Sequence, residues 1–358
     1  MYKFGVFFKT IMMALCLCAT LLLPVQAEQP PLSAGSAILI RADNGECIAA
    51  YNADARCGMA STTKIMTAIV AIEYGDLDQK CTIPDKAIGV EGSSLYLKRG
   101  EQMTLRELLY GLMLQSANDA AEAIAILIDG SVEAFADRMN QKASALGLTN
   151  THFTNPHGLA DENHYTTAKD LAALSAYALK NTTFREICST YKTTIPACEG
   201  VRWLINHNKM LKIYEGACGI KTGFTKATGR CLVSAAERDG VQLIAVTLNA
   251  PDDWKDHRML LDYGFSKYEA VSLSKAGDFA CNLPLIGGDN DSVSLHVQND
   301  VSAVLQKEHG SIVERIEVIR PRFAPVYKGD VLGRIVYLAD GKEVASSPLY
   351  AASYVGRQ

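Results

Sequence analysis

The sequence predicts an α+β protein: a sheet assembled from strands at both ends of a long segment, a helical stretch between them, and a small all-β domain behind. Three observations carry this. Strand-like apolar runs flank turn residues at 37–51 and again at 230–248. Between them, apolar residues recur at helical spacing as far as about residue 180. After about residue 270 the texture changes to short alternating runs separated by turns. The 358 residues, 48% hydrophobic and 21% charged, fit a globular chain of two domains. A formal charge of −4, from 35 Lys+Arg against 39 Asp+Glu, excludes the basic footprint of a general nucleic-acid binder. No Gly-X-Y period, heptad run or repeat points to a fibrous or solenoid protein.

The first element is a leader. Lys3 and Lys9 precede an apolar run, Ile11 to Leu23, and Val25 and Ala27 fit a signal-peptidase site after Ala27. The run of about 13 residues falls short of the roughly 20 that span a bilayer, which weighs against an uncleaved anchor. We read residues 1–27 as a signal peptide and 28–36 as a linker, and expect an exported protein on the outer side of the cytoplasmic membrane. Cys16 and Cys18 leave with the leader. The remaining eight cysteines leave two readings open: short-loop disulfides such as Cys47/Cys57 or Cys188/Cys198, or buried free thiols. No C-x-x-C pair suggests a thiolate zinc site.

Residues 37–42 read as a strand, Asp43-Asn44-Gly45-Glu46 as a turn and 47–51 as the returning strand. Ile65, Ile69, Val70 and Ile72 give 61–74 a helical spacing. Further helices are expected at 104–115, 118–128, 132–146 and 167–179. Strands follow at 230–236 and 241–248 around Arg238-Asp239-Gly240, then a closing helix at 252–265. Alternation at 292–297, 312–319, 331–338 and 343–349 marks the β-rich domain. The expected boundaries are 37–268 and 269–358.

Ser61-Thr62-Thr63-Lys64 opens the first helix. Serine and lysine three apart share a helix face, and a helix N-terminus favours a developing oxyanion. A desolvated lysine beside it can serve as base. The motif alone decides little, because Ser272-Leu273-Ser274-Lys275 repeats it. What separates the copies is context. Ser116-Ala117-Asn118 lies between two predicted helices, and Lys221-Thr222-Gly223 lies just before the strand pair at 230–248. Ser-x-x-K, Ser-x-Asn and Lys-Thr-Gly in that order form the trio of penicillin-binding proteins and class A β-lactamases.

On these residues the sequence resembles the D-alanyl-D-alanine carboxypeptidases, the low-molecular-mass penicillin-binding proteins. The likeness extends over about residues 35–268 and, more loosely, to 350. Supporting it are Glu91-Gly92-Ser93-Ser94, Leu108-Leu109-Tyr110-Gly111-Leu112-Met113, Asn155-Pro156-His157-Gly158-Leu159 and Gly219-Ile220-Lys221-Thr222-Gly223. It is similar especially to secreted enzymes of Gram-positive spore formers. The resemblance implies a β-lactamase/penicillin-binding-protein-like serine acyltransferase domain, an antiparallel sheet with helices and a helical insert, ahead of a β-rich domain.

The resemblance also implies roles. Ser61 is the acylated nucleophile, Lys64 the proton acceptor and Ser116 a proton relay. Asn118, Lys221, Thr222 and Gly223 bind substrate, and the backbone N–H groups of Ser61 and Phe224 form the oxyanion hole. The substrate is a peptidoglycan pentapeptide ending in D-Ala-D-Ala, with β-lactams as covalent inhibitors and no cofactor or metal. Two departures stand out. Cys57-Gly58 replaces a common Pro-Pro, and Asn206-His207-Asn208 carries histidine where some members have an arginine thought to hold the terminal carboxylate. His152, His157 and His164 fall in one loop without a metalloprotease motif, and His157 is expected to shape the loop. The tail, Leu349 to Gln358, lacks a basic amphipathic face, so no stable membrane anchor is expected once the leader is cleaved. A D,D-endopeptidase remains the alternative. A β-lactamase is disfavoured because no Glu-x-x-Leu-Asn segment follows the second motif, and a non-catalytic wall-binding module because the nucleophile and both lysines are intact. A role in sporulation rests on the resemblance alone.

Overall fold

The structure is a computed structural model that describes residues 30–358. The expected leader at 1–27 lies outside the described residues.

The first strand pair is β1 (Ser36–Arg41) and β2 (Cys47–Tyr51), followed by a 3₁₀ turn at Ala60–Thr63 and helix α1 (Lys64–Tyr74). Strands β3 (Lys80–Thr82) and β4 (Gln102–Thr104) form a small ladder. Helices α2 (Leu105–Leu114), α3 (Asn118–Asp129), α4 (Val132–Ala145), α5 (Ala168–Leu179) and α6 (Thr182–Ser189) come next. Their starts are written in the sequence. Thr104 and Glu107 make a reciprocal capping box, and Ser131, Thr167 and Asn181 each accept a backbone N–H from the first turn.

A hairpin, β5 (Lys192–Pro196) and β6 (Val201–Ile205), leads through a short helix α7 (Met210–Ile213) to β7 (Ala217–Thr225), β8 (Gly229–Arg238) and β9 (Val241–Leu248). Helix α8 (Asp253–Lys267) closes the segment. The main sheet is antiparallel in the order β2-β1-β9-β8-β7. Both ends of the segment do contribute strands to one sheet.

This sheet is covered on both faces, and alternate residues show it. Ile244, Val246 and Leu248 of β9 join the core made with α1, α2, α3 and α5, whereas Val241, Leu243 and Ala245 join the core under α8. Strands buried on both faces lose polar alternation, which is why β1 and β9 read as continuous apolar runs. Helix α1 runs through the larger core with every residue from Lys64 to Ala71 buried. Strand β7 is an edge, with one side free.

The chain continues as β10 (Tyr268–Ser274), β11 (Phe279–Ile286), β12 (Ser292–Val297), β13 (Val301–Gln306), β14 (Ile312–Val318), β15 (Arg322–Phe323), β16 (Val331–Ala339) and β17 (Lys342–Ala351). Here β10 pairs with β13, and the other six form a second sheet, β14-β16-β17-β12-β11-β15. Leu283, Leu295, Ile335, Tyr337 and Leu349 pack in a core of their own. Sequence reading found β12, β14, β16 and β17 but not β10, β11 or β13. It also missed α6, the β5–β6 hairpin and β7. Among the described residues no helix is long and apolar enough to cross a membrane.

Candidate active site

Three elements bring the predicted residues together. Ser61 sits in the 3₁₀ turn rather than in the α-helix, which begins only at Lys64. The turn is entered through Ala60 at φ +47. Against it lies the loop Asn155–Gly158. Asn155 Oδ1 accepts the N–H groups of His157 and Gly158, and Thr67 Oγ1 donates to the Pro156 carbonyl at 2.6 Å. A Cβ on Gly158, at φ +90, would lie 1.9 Å from the Ala60 carbonyl oxygen, so no other residue fits.

Lys64 is wholly buried. Its Nζ lies 3.0 Å from Ser61 Oγ, 2.6 Å from Asn118 Oδ1 and 2.7 Å from the His157 carbonyl. Burial, then the nearby charge of Lys221, hold its ammonium well below the usual lysine range, against a smaller opposing pull from Asp119. Lys221, also buried, points inward from β7 and donates to the Thr222 carbonyl at 2.8 Å. Burial brings it down to about 7.

Asn118 is occupied at both ends of its amide: Oδ1 accepts from Lys64, and Nδ2 donates to the Glu91 carbonyl at 2.6 Å. Ser116 stands just before it in the left-handed region, φ +59, and lines the cleft. The next residue, Asp119, was not singled out from sequence. Its buried carboxylate accepts from Ser94 Oγ at 2.6 Å and from the N–H groups of Leu95, Leu97 and Ala120. It thereby fixes the 91–97 loop beside Lys64. Only its place directly after the Ser-x-Asn motif hinted at this.

Strand β7 forms the opposite wall. A Cβ on Gly223 would come within 3.0 Å of Ser61 N and 3.1 Å of Thr62 N, so the strand presses directly on the nucleophile's turn. The open cleft, about 630 Å³, is lined by Ser61, Ser116, Thr222, Gly223 and Phe224, with His207, Lys209 and Trp254 beyond. His207 is half-buried, and its imidazole is lowered by that burial and by Lys221.

The three loop histidines act within the protein. His157 gives its carbonyl to Lys64, and burial, then Lys64 and His164, drive its ring down to about 3. His164 accepts the Thr154 N–H at Nδ1, so Nε2 carries the proton given to Thr63 Oγ1 at 2.7 Å, and that hydroxyl donates on to the Ala60 carbonyl. Burial is the main reason the His164 ring falls to about 4. His152 Nδ1 meets the Asn163 carbonyl. All eight described cysteines carry free thiols. The second Ser-x-x-Lys lies on β10 and the turn after it, with Ser272 and Lys275 both exposed.

Residues 24–252 match the family model described as D-alanyl-D-alanine carboxypeptidase, and 268–357 match the penicillin-binding protein 5 C-terminal domain. The chain is 33% identical to the D-alanyl-D-alanine carboxypeptidase DacF of Bacillus subtilis, covering 89% of this chain and 85% of that one. It is also 33% identical to DacA of Escherichia coli K12, covering 89% and 83%. A crystal structure of penicillin binding protein 5 from Haemophilus influenzae superposes with a TM-score of 0.69 at 30% identity, covering 92% of this chain and 100% of that one. With the serine, the buried lysine and the two flanking motifs gathered on one cleft, the chain belongs to the D-alanyl-D-alanine carboxypeptidase family.

Proposed function

We propose that the protein is a serine-type D-alanyl-D-alanine carboxypeptidase that removes the terminal D-alanine from peptidoglycan pentapeptide stems. The observation that carries this is the buried Lys64 Nζ, 3.0 Å from Ser61 Oγ. A neutral amine has two N–H bonds to give, and Asn118 Oδ1 and the His157 carbonyl accept them. The lone pair then faces the Ser61 hydroxyl. Lys64 takes the Ser61 proton as Oγ attacks the penultimate D-alanine carbonyl. The backbone N–H groups of Ser61 and Phe224 receive the oxyanion. Ser116 relays the proton to the leaving D-alanine nitrogen, and water then hydrolyses the ester on Ser61 by the same route in reverse.

Thr222 and the positive charge of Lys221 hold the terminal carboxylate, while Gly223 seats the strand. Asn118 positions Lys64 and retains one N–H on Nδ2 for the substrate backbone. β-Lactams acylate Ser61 as mimics of the D-Ala-D-Ala end. The catalytic domain is assigned to 37–268 and the β-rich domain to 269–358. Residues 1–27 are assigned as a cleaved signal peptide, which puts the enzyme on the wall side of the cytoplasmic membrane.

The test is D-alanine release from diacetyl-Lys-D-Ala-D-Ala, with intact mass after penicillin, beside Ser61→Ala. Release and a penicillin adduct, both absent in the variant, are expected. An adduct without release would transfer the assignment to cross-link endopeptidase, and neither signal from folded protein would overturn catalysis altogether.

A further inference from the structure

We propose that the exposed aromatic rings around the cleft form a platform for the glycan strand of polymeric peptidoglycan. Among the described residues the three most exposed aromatic side chains are Tyr96 at 82%, Trp203 at 73% and Phe224 at 64%. One lines this cleft and the other two stand on segments that reach it. Phe224 lines it, Trp203 is two residues from the lining Ile205, and Tyr96 is three residues from the lining Ser93. Large rings left in water forgo burial that the rest of the fold secures, and such a concentration marks a binding surface.

The geometry is that of a prepared surface. On β6 the period-two alternation is inverted: Val201, Trp203 and Ile205 face solvent while Leu204 is buried. That face runs about 13 Å from the cleft edge, room for more than one sugar ring. The hairpin is clamped from beneath. Arg202 pairs with the buried Glu101 at 2.5 Å, and its Nε donates to the Leu95 carbonyl at 3.0 Å. The clamp joins the hairpin to the loop that carries Tyr96. Tyr96 itself is held at φ +56, its N–H donating to Ser94 Oγ at 2.8 Å. A left-handed backbone is costly for an aromatic residue, and here it turns the ring outward.

A pyranose presents apolar C–H faces that stack on aromatic rings, with hydroxyls left for water. The inference rests on the carboxypeptidase reading for its choice of occupant. Every stem that enters the cleft is covalently joined to a glycan strand, and the apolar face is continuous with the cleft that takes the stem.

The experiment uses the full chain from residue 28 with Trp203→Ala, Tyr96→Ala and both together. Binding is read by co-sedimentation with purified insoluble peptidoglycan in a Ser61→Ala background, so no turnover is needed. Rates of D-alanine release are compared on free pentapeptide and on pentapeptide-rich insoluble peptidoglycan. The double variant should need about tenfold more peptidoglycan for half-saturation, the loss typical of a truncated aromatic anchor. Its turnover of polymer should fall in step, while turnover of free pentapeptide stays within about twofold. Trp203→Tyr should restore binding and Trp203→Leu should not. Unchanged sedimentation, equal loss on both substrates, or rescue by leucine would overturn the platform. So would a dimer that the double variant dissolves without loss of peptidoglycan binding, which would make the face a contact between copies. Absence of D-alanine release with aromatic-dependent sedimentation would sink only the carboxypeptidase reading.

Discussion

Ser61-x-x-Lys64 and Ser272-x-x-Lys275 have the same spacing and opposite physical situations. In the first, a 3₁₀ turn running into a helix stacks residues three apart on one side, and the lysine is enclosed with three oxygens around Nζ. In the second, Ser272 belongs to a strand paired through Ser302, and its lysine falls in the turn beyond, in water. Ser272 is exposed on its strand and Lys275 lies past the strand's end in water, so nothing encloses the second pair. Reactivity here is created by burial and neighbours, and the spelling only permits it.

The most forceful way to break this comparison is substitution in both places. Ser61→Ala should abolish D-alanine release and the penicillin adduct, and Lys64→Met should slow acylation ~10³-fold or more, as for other units of nucleophile and base. Ser272→Ala and Lys275→Met should leave both within about twofold. Rates of penicillin acylation by stopped flow decide it, and any large effect at the second pair would remove the contrast.

What could be read in advance divides along the same line. Helices α2 to α5 were legible to within about two residues because their period and their caps, such as Thr104 with Glu107, are local. Strand β7 was not, since Gly219 and Gly223 interrupt it and its pairing with β8 is what makes it a strand. The β5–β6 hairpin escaped because its apolar residues face outward at Val201, Trp203 and Ile205. The identities of Ser61, Lys64, Ser116 and Lys221 followed from motifs. That the His157 carbonyl touches Lys64 did not, because it depends on a latch between Asn155, Thr67 and the 155–158 loop, some ninety residues from the lysine.

A second prediction concerns the clamp between the β5–β6 hairpin and the 91–97 loop. Arg202→Met takes the guanidinium away from the buried Glu101 carboxylate and leaves it only the Lys98 N–H, so the protein should lose roughly 3 kcal/mol of stability. Thermal or denaturant unfolding measures it. The exposed pair Arg315–Glu317 in the β-rich domain is the control, and Arg315→Met should cost roughly 1 kcal/mol or less. Equal losses at the two would mean that the clamp between hairpin and loop does not matter.

Asp119→Ala comes next. It leaves the Leu95 and Leu97 N–H groups without their acceptor, at about 1–3 kcal/mol for each buried donor. The 91–97 loop should loosen, hydrogen exchange there should accelerate, and acylation should slow through misplacement of Asn118 and Lys64. Exchange confined to other segments would contradict the positioning role.

The smallest expected effect is the sharpest test of the lysine pair, because its sign is fixed in advance. Lys64 accepts a proton only when neutral, so acylation should rise as pH rises through its lowered pKa and then level off. The charge of Lys221 is one cause of that lowering. Lys221→Met removes it, so the Lys64 pKa rises and the acid limb of the acylation profile moves to higher pH, whatever happens to its height. Asp119 pulls the other way. Asp119→Asn, which keeps a carbonyl acceptor for the loop, should move the limb to lower pH. The pH dependence of penicillin acylation, fitted for limb position alone, reads both. Shifts in the same direction for the two variants would show that the limb belongs to a group other than Lys64. Shifts in opposite directions would tie the reactivity of Ser61 to charges held in place by its surroundings, the feature that Lys275, in water, does not have.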